Sequence, residues 1–182
     1  FGTMTAVTLP KIVDTASTAT PLVELGEGKL PDLTSLLLGT TGGAIGETCA
    51  LALLAGGVYL LVRRIITWHI PVSFIGMVFV FSLLMEGFDA EAALAMILSG
   101  GLFIGAFFMA TDYVTSPTTD KGKVIFGIGL GVITMLIRRF GTMNEGVSFA
   151  ILLMNLVVPY IEVLTRQDKL GIAKAKKGGA AK

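Results

Sequence analysis

Apolar residues in this chain come in long blocks, not in the two-residue alternation of a half-buried strand. Five blocks stand out: Leu36–Val62, Ile70–Met85, Ala92–Ala110, Val124–Ile137 and Val147–Leu164. Each is read as meeting the requirement of about 20 largely apolar residues for a helix that crosses a bilayer, with Val124–Ile137 rather short. The polar stretches between them are brief: "RRIITWH", "EGFDAE", "TSPTTDKGK" and "RRFGTMNEG". The pattern predicts an all-α, polytopic helical membrane protein with about five transmembrane helices in this stretch. It divides the chain into an extramembrane loop segment over 1–35, a transmembrane bundle over 36–164 and a flexible basic tail over 165–182.

Composition agrees with that pattern. The chain is 53% hydrophobic and only 15% charged, with a mean hydropathy of +0.81, against about 25% charged residues in soluble domains. A net charge of +1 gives no basic field for nucleic acid. One cysteine, Cys49, and one histidine, His69, rule out an internal disulfide and a zinc or iron–sulfur site built by this stretch alone. Any redox group here is therefore organic, or shared with another subunit.

Loop charges suggest an orientation, since Lys and Arg accumulate on the cytoplasmic side of short loops. Arg63, Arg64, Lys121, Lys123 and the tail residues Arg166, Lys169, Lys174, Lys176 and Lys177 fall on one side of a five-span bundle. Lys11, Lys29, Arg138 and Arg139 fall on the other, with the acidic "EGFDAE" turn. The C-terminus is expected to be cytoplasmic and the segment around Thr20 to lie outside, with Arg138–Arg139 as the dissenting pair. The opening "FGTMTAVTLPK" has neither the charged start nor the apolar core of a signal peptide. It also lacks a starting methionine, so Phe1 is not expected to be the natural beginning.

Glycines within the blocks favour close helix–helix approach in lipid. Gly42-Gly43-x-x-Gly46 lacks the strand before it and the Lys-Ser/Thr ending of a phosphate loop, and reads better as a tightly packed entrance to the first span. Ionisable groups at membrane depth are functional candidates, which singles out Glu47, Asp112 and Glu162. For Asp112 and Glu162 the plainer reading is an interfacial carboxylate with access to water; for Glu47 it is a buried, partnered acid. Asn155 lies mid-span, and His69 beside Trp68 fits the aromatic belt at a membrane interface. Cys49 is most simply a small packing residue.

The segment before the first block, "DTASTAT" from Asp14 to Thr20, admits a plain reading as a helix cap or turn. It also resembles an acceptor pattern, D-x-x-[S/T]-x-A-T, whose last threonine is esterified by the phosphate of FMN through a flavin transferase. Further stretches carry the resemblance along nearly the whole chain. They are "STATPL" (Ser17–Leu22), "LLLGTTGGAIGETCALALLAGGVYLL" (Leu36–Leu61), "WHIP" (Trp68–Pro71), "MATDYVTSPTTDKGKVIFGIGLGVITMLIRR" (Met109–Arg139) and "EGVSFAILLMNLVVPYIE" (Glu145–Glu162). In family order, they resemble the C-terminal part of the RnfD/NqrB family of membrane flavoprotein subunits, with the RnfD branch favoured. One departure is Thr18, where family members usually carry glycine. The other is length: family members have further N-terminal helices, so this chain reads as a fragment.

The resemblance implies an electron-transfer subunit of an ion-translocating (Na⁺ or H⁺) ferredoxin:NAD oxidoreductase complex in a prokaryotic cytoplasmic membrane. It implies one covalent FMN on Thr20, with Asp14 and Ser17 as recognition features of the attachment motif. Its partners would be the other membrane, flavoprotein and iron–sulfur subunits, the flavin transferase and the lipid bilayer. Riboflavin would belong to the N-terminal part that precedes this chain. Glu47, Asp112 and Glu162 would be the ion-coupling candidates. Arg138 and Arg139 would either attract the flavin phosphate or a partner's acidic face, or snorkel to the interface. The reading of another class is a cofactor-free membrane transporter or scaffold subunit, in which the Thr-rich segment is merely a cap.

Overall fold

The structure, a computed structural model, describes residues 33–38, 49–85, 87–141 and 146–165. Among them every regular element is a helix: α1 Leu33–Leu38, α2 Ala50–Val62, α3 His69–Met85, α4 Ala90–Leu98, α5 Leu102–Met109, α6 Asp120–Phe140 and α7 Val147–Thr165. The second half of α5, Gly105–Met109, is wound as a π-helix.

The longest helix shows how polar ends extend an apolar block. Its apolar block, Val124–Ile137, is short for a span, yet α6 runs from Asp120 to Phe140. Thr119 caps its start by accepting a hydrogen bond from the Gly122 N–H at 3.1 Å, which satisfies one of the free donors there. Asp120 stands in the first turn and Arg138 and Arg139 in the last, the signs that suit the helix dipole. At α3 the sequence block is matched almost residue for residue, with Pro71 in the first turn, where no backbone donor is required.

Helices α3 and α6 form the centre of the bundle. Gly127 of α6 lies on Ser73 of α3, with the Ile70 carbonyl oxygen 3.0 Å from where a Cβ would stand. Gly131, one turn on, lies on Met77 and within 3.2 Å of the Phe74 carbonyl by the same construction. Residue numbers rise together on the two helices, so α3 and α6 run parallel. Gly129, on another face of α6, takes Met154 of α7 instead. Around this crossing Phe74, Val78, Leu102, Ala106, Leu130 and Ala150 are fully buried. The expectation that glycines bring helices together is met at these positions.

Two of the expected spans look different. Ala92–Ala110 is not one helix: α4 and α5 meet at a bend of 65°. The break falls at Ser99-Gly100-Gly101, where Ser99 is extended and Gly100 has φ +70°, a left-handed conformation that glycine adopts at little cost. In the first block the described helices are α1 and α2, with 39–48 outside the described residues. The Cys49 thiol donates to the Leu37 carbonyl at 3.6 Å, tying the start of α2 to α1.

The outside of the bundle is apolar. The most hydrophobic 18-residue window of α7 has a mean hydropathy of 2.0 and is only 28% buried, the reverse of a core helix in a soluble protein. Leu152, Leu156, Tyr160, Val163 and Leu164 all point outward. Among the described helices α7 alone is long and apolar enough to cross a membrane by itself, while α4 and α5 qualify only as one bent pair. Helices α2 and α3 are apolar but shorter. The helical class is thus observed; the count of about five spans rests on the sequence.

Candidate functional site

The FMN-attachment residues Asp14, Ser17 and Thr20 lie outside the described residues, as does Glu47. Asp112 and Glu162 are both described, and the bundle brings them to the same end. That end gathers the finish of α2, the start of α3, the loop from α5 to α6 and the finish of α7. The Tyr113 hydroxyl donates to the Ile65 carbonyl across it.

Each carboxylate has a hydroxyl partner there. Glu162 Oε1 accepts from the Thr118 hydroxyl at 3.1 Å and from the Thr118 N–H at 3.3 Å. Asp112 Oδ2 accepts from the Thr115 hydroxyl at 3.3 Å. The hydroxyls of Thr119 and Thr165 meet at 2.7 Å, and Thr165 donates on to the Ile161 carbonyl. Glu162 therefore ties the α5–α6 loop to α7, while Asp112 is exposed at the loop surface. The two acids share an end of the bundle, but their contacts run to different loop residues. Among the described residues no group of three or more His, Cys, Asp or Glu side chains is placed to hold a metal ion.

At the start of α3, Trp68 and His69 stack with ring centroids 4.2 Å apart. Trp68 is exposed, as an aromatic-belt residue should be. His69 Nδ1 is buried without a hydrogen-bond partner.

The opposite end holds a feature that loop charges did not reveal. Arg138 does not reach outward: its Nη1 donates to the Met96 carbonyl at 2.7 Å and its Nη2 to the Ser99 carbonyl at 3.3 Å. Neither reading of Arg138, as a snorkelling cation or as a lure for phosphate or a partner's acidic face, anticipates these two contacts. The physical cause is the break after α4. The last four carbonyls of a helix lack intrahelical donors; a guanidinium from α6 supplies one to Met96 in the last turn of α4 and another to the C-cap residue Ser99. Arg139, the neighbouring residue, is exposed. The signals in the sequence were the Ser-Gly-Gly triplet inside an apolar block and a charged residue at the end of a helix rich in glycine.

Comparison with known proteins gives these features a family. The sequence profile of the NQR2, RnfD, RnfE family matches residues 2–171. The chain belongs to that family. It is 45% identical over 185 residues to the D subunit of the Na(+)-translocating ferredoxin:NAD(+) oxidoreductase complex of Acetobacterium woodii, covering 99% of this chain and 57% of that protein. It is 43% identical over 176 residues to the D subunit of the proton-translocating ferredoxin:NAD(+) oxidoreductase complex of Clostridium ljungdahlii, covering 87% of this chain and 52% of that protein. It is also 44% identical over 144 residues to the D subunit of the ion-translocating oxidoreductase complex of Pseudomonas paraeruginosa, covering 77% and 42%. The chain spans about half the length of the curated relatives it matches. The expected RnfD/NqrB membership is thereby shown.

Proposed function

We propose that this chain is the flavin-carrying part of an RnfD-type subunit: a membrane electron relay holding FMN through a phosphoester to Thr20, within an ion-translocating ferredoxin:NAD oxidoreductase complex. The observation that carries the reading is the attachment pattern "DTASTAT" ahead of the first apolar block, in a chain whose relatives are named as the D subunits of such complexes. The chemistry of the acceptor fits the group. A threonine hydroxyl is the atom that a phosphoester needs, and the small residues Ala16, Ser17 and Ala19 leave little bulk before it.

When bound, FMN supplies one- and two-electron transfer; the protein supplies attachment, position and electrostatics. Thr20 holds the phosphate by a covalent bond, so retention does not depend on a deep pocket. Asp14 and Ser17 serve recognition by the transferase. Thr18, in place of the usual glycine, adds a β-branched side chain near the acceptor. The apolar exterior of α7 sets the bundle in lipid, and loop charges favour a cytoplasmic C-terminus with Thr20 on the outer side.

Glu47, Asp112 and Glu162 are the candidates for handling the translocated cation. Each offers hard carboxylate oxygens or a protonation site, and one relative is named for sodium and another for protons. Of the two that the structure describes, Glu162 is engaged by Thr118 and Asp112 by Thr115.

Flavin fluorescence of the denatured protein on a gel tests the reading. Coexpressed with a flavin transferase, the wild-type protein is expected to fluoresce under ultraviolet light. A dark band contradicts the flavin assignment and favours the cofactor-free transporter or scaffold.

A further inference from the structure

A carboxylate can serve a membrane protein as a charge or as a hydrogen-bond acceptor. Only the first role needs an ionised acid; an amide of the same shape accepts equally well. Asp112 and Glu162 share an end of the bundle, and their contacts separate these two roles.

Asp112 belongs to a closed turn. Its Oδ2 accepts from the Thr115 hydroxyl at 3.3 Å, and its backbone carbonyl accepts from the Ser116 N–H at 3.2 Å. The residue is exposed, and among the described residues its Oδ1 has no hydrogen-bond partner. Two tethers hold this turn. On one side the Tyr113 hydroxyl donates to the Ile65 carbonyl, between α2 and α3. On the other the chain passes through Pro117, whose side chain is fully buried, to Thr118.

Thr118 directs both of its donors to one atom. Its hydroxyl and its N–H reach Glu162 Oε1 at 3.1 and 3.3 Å. A hydroxyl can swing away from its acceptor, but a backbone N–H moves only with the chain, so the pair fixes the loop to the last turn of α7. The neighbouring residues repeat the link. Thr165 donates its one proton to the Ile161 carbonyl, which makes Thr119 the donor across the 2.7 Å contact between the two hydroxyls. A Cβ on Gly122 would stand 2.6 Å from Thr119 Oγ1 and 3.1 Å from Thr165 Oγ1. The start of α6 and the end of α7 are thus joined twice, in close contact.

We propose that Glu162 is a positioning residue that acts through Thr118 to hold the Asp112 turn, and that Asp112 is the acid at this end that meets the translocated cation. This role requires an acceptor oxygen at position 162 and no charge. The proposal rests on the reading of Asp112 as a cation-handling acid and narrows the candidates at this end to one.

The test uses inverted membrane vesicles holding the intact complex, driven by reduced ferredoxin and NAD. Uptake of radioactive sodium, and of protons in sodium-free buffer, is followed as sodium or pH is varied. Glu162→Leu keeps the bulk and removes the acceptor. It is expected to raise the half-saturating cation concentration by roughly threefold to tenfold at an unchanged maximal rate, since a small misplacement of a reacting group is costly. Mere loss of folded protein would lower the maximal rate instead. Thr118→Val, which keeps the N–H, is expected to shift half-saturation in the same direction by less. The two together are expected to match Glu162→Leu alone, because they remove one contact. Glu162→Gln restores the acceptor without the charge and is expected to rescue half-saturation to within about twofold of wild type. A Glu162→Gln protein as impaired as Glu162→Leu overturns the proposal, as does wild-type half-saturation in both Glu162→Leu and Thr118→Val. Asp112→Asn is expected to lose ion uptake per electron; wild-type uptake in that variant overturns the cation-handling reading itself, and the proposal with it. If Glu162→Leu does not accumulate in membranes, Glu162→Gln and Thr118→Val decide between acceptor and charge in the same way.

Discussion

Gly127 of α6 rests directly on Ser73 of α3, leaving no space for a side chain: an added Cβ would collide with the Ser73 hydroxyl and approach the Ile70 carbonyl to 3.0 Å. Gly131 repeats the contact one turn on, where an added Cβ would stand 2.6 Å from Met77 Cβ. Gly127→Ala and Gly131→Ala are therefore expected to destabilise the protein by about 1–3 kcal/mol each through overpacking. Gly76, on α3, has open space around it. Gly76→Ala is expected to be neutral or stabilising by up to about 1 kcal/mol from helix propensity. Heat-dependent loss of extractable protein from membranes ranks the three variants, and equal behaviour of Gly76→Ala and Gly131→Ala would contradict the packing argument.

The break between α4 and α5 rests on Gly100 at φ +70°. Any other residue there occupies the left-handed region at a cost of roughly 1–2 kcal/mol. Gly100→Ala is expected to lower the melting temperature by that equivalent. A more stable Gly100→Ala protein would show that the block can straighten into one helix.

Much of this architecture is legible in the apolar blocks. The bounds of α3 and α7 follow their blocks within a residue or so, because apolar residues predominate in both helices. The break at Ser99–Gly101 escapes such a reading, because mean hydropathy is blind to a backbone that turns without becoming polar. Arg138 is misplaced by it for a related reason. A loop-charge count assigns a cation to the surface, whereas unsatisfied carbonyls on another helix draw this one inward. The same limit applies at the other end, where charge alone singles out Asp112 and Glu162 and their Thr115 and Thr118 partners come from the fold. The family is legible from motif stretches spread along the chain, and the profile match over residues 2–171 bears it out.

Ion coupling gives a separate prediction. Glu47 is an acid shortly before the apolar run "CALALLAGG", and the sequence reading puts it inside the first apolar block, where a charge persists only with a partner or a function. Glu47→Gln is expected to slow Na⁺- or H⁺-coupled electron transfer in membrane vesicles while leaving the flavin attached. Ion uptake per electron and turnover both equal to wild type would count against a coupling role.

The central claim is the covalent flavin on Thr20, and peptide mass spectrometry of the protein purified after coexpression with its flavin transferase tests it most directly. The account predicts that the peptide containing Asp14–Thr20 carries the mass of FMN less one water, that fragmentation assigns it to Thr20, and that Thr20→Ala loses it. An unmodified peptide in wild type, or FMN retained on Thr18 or any other residue in Thr20→Ala, would contradict it.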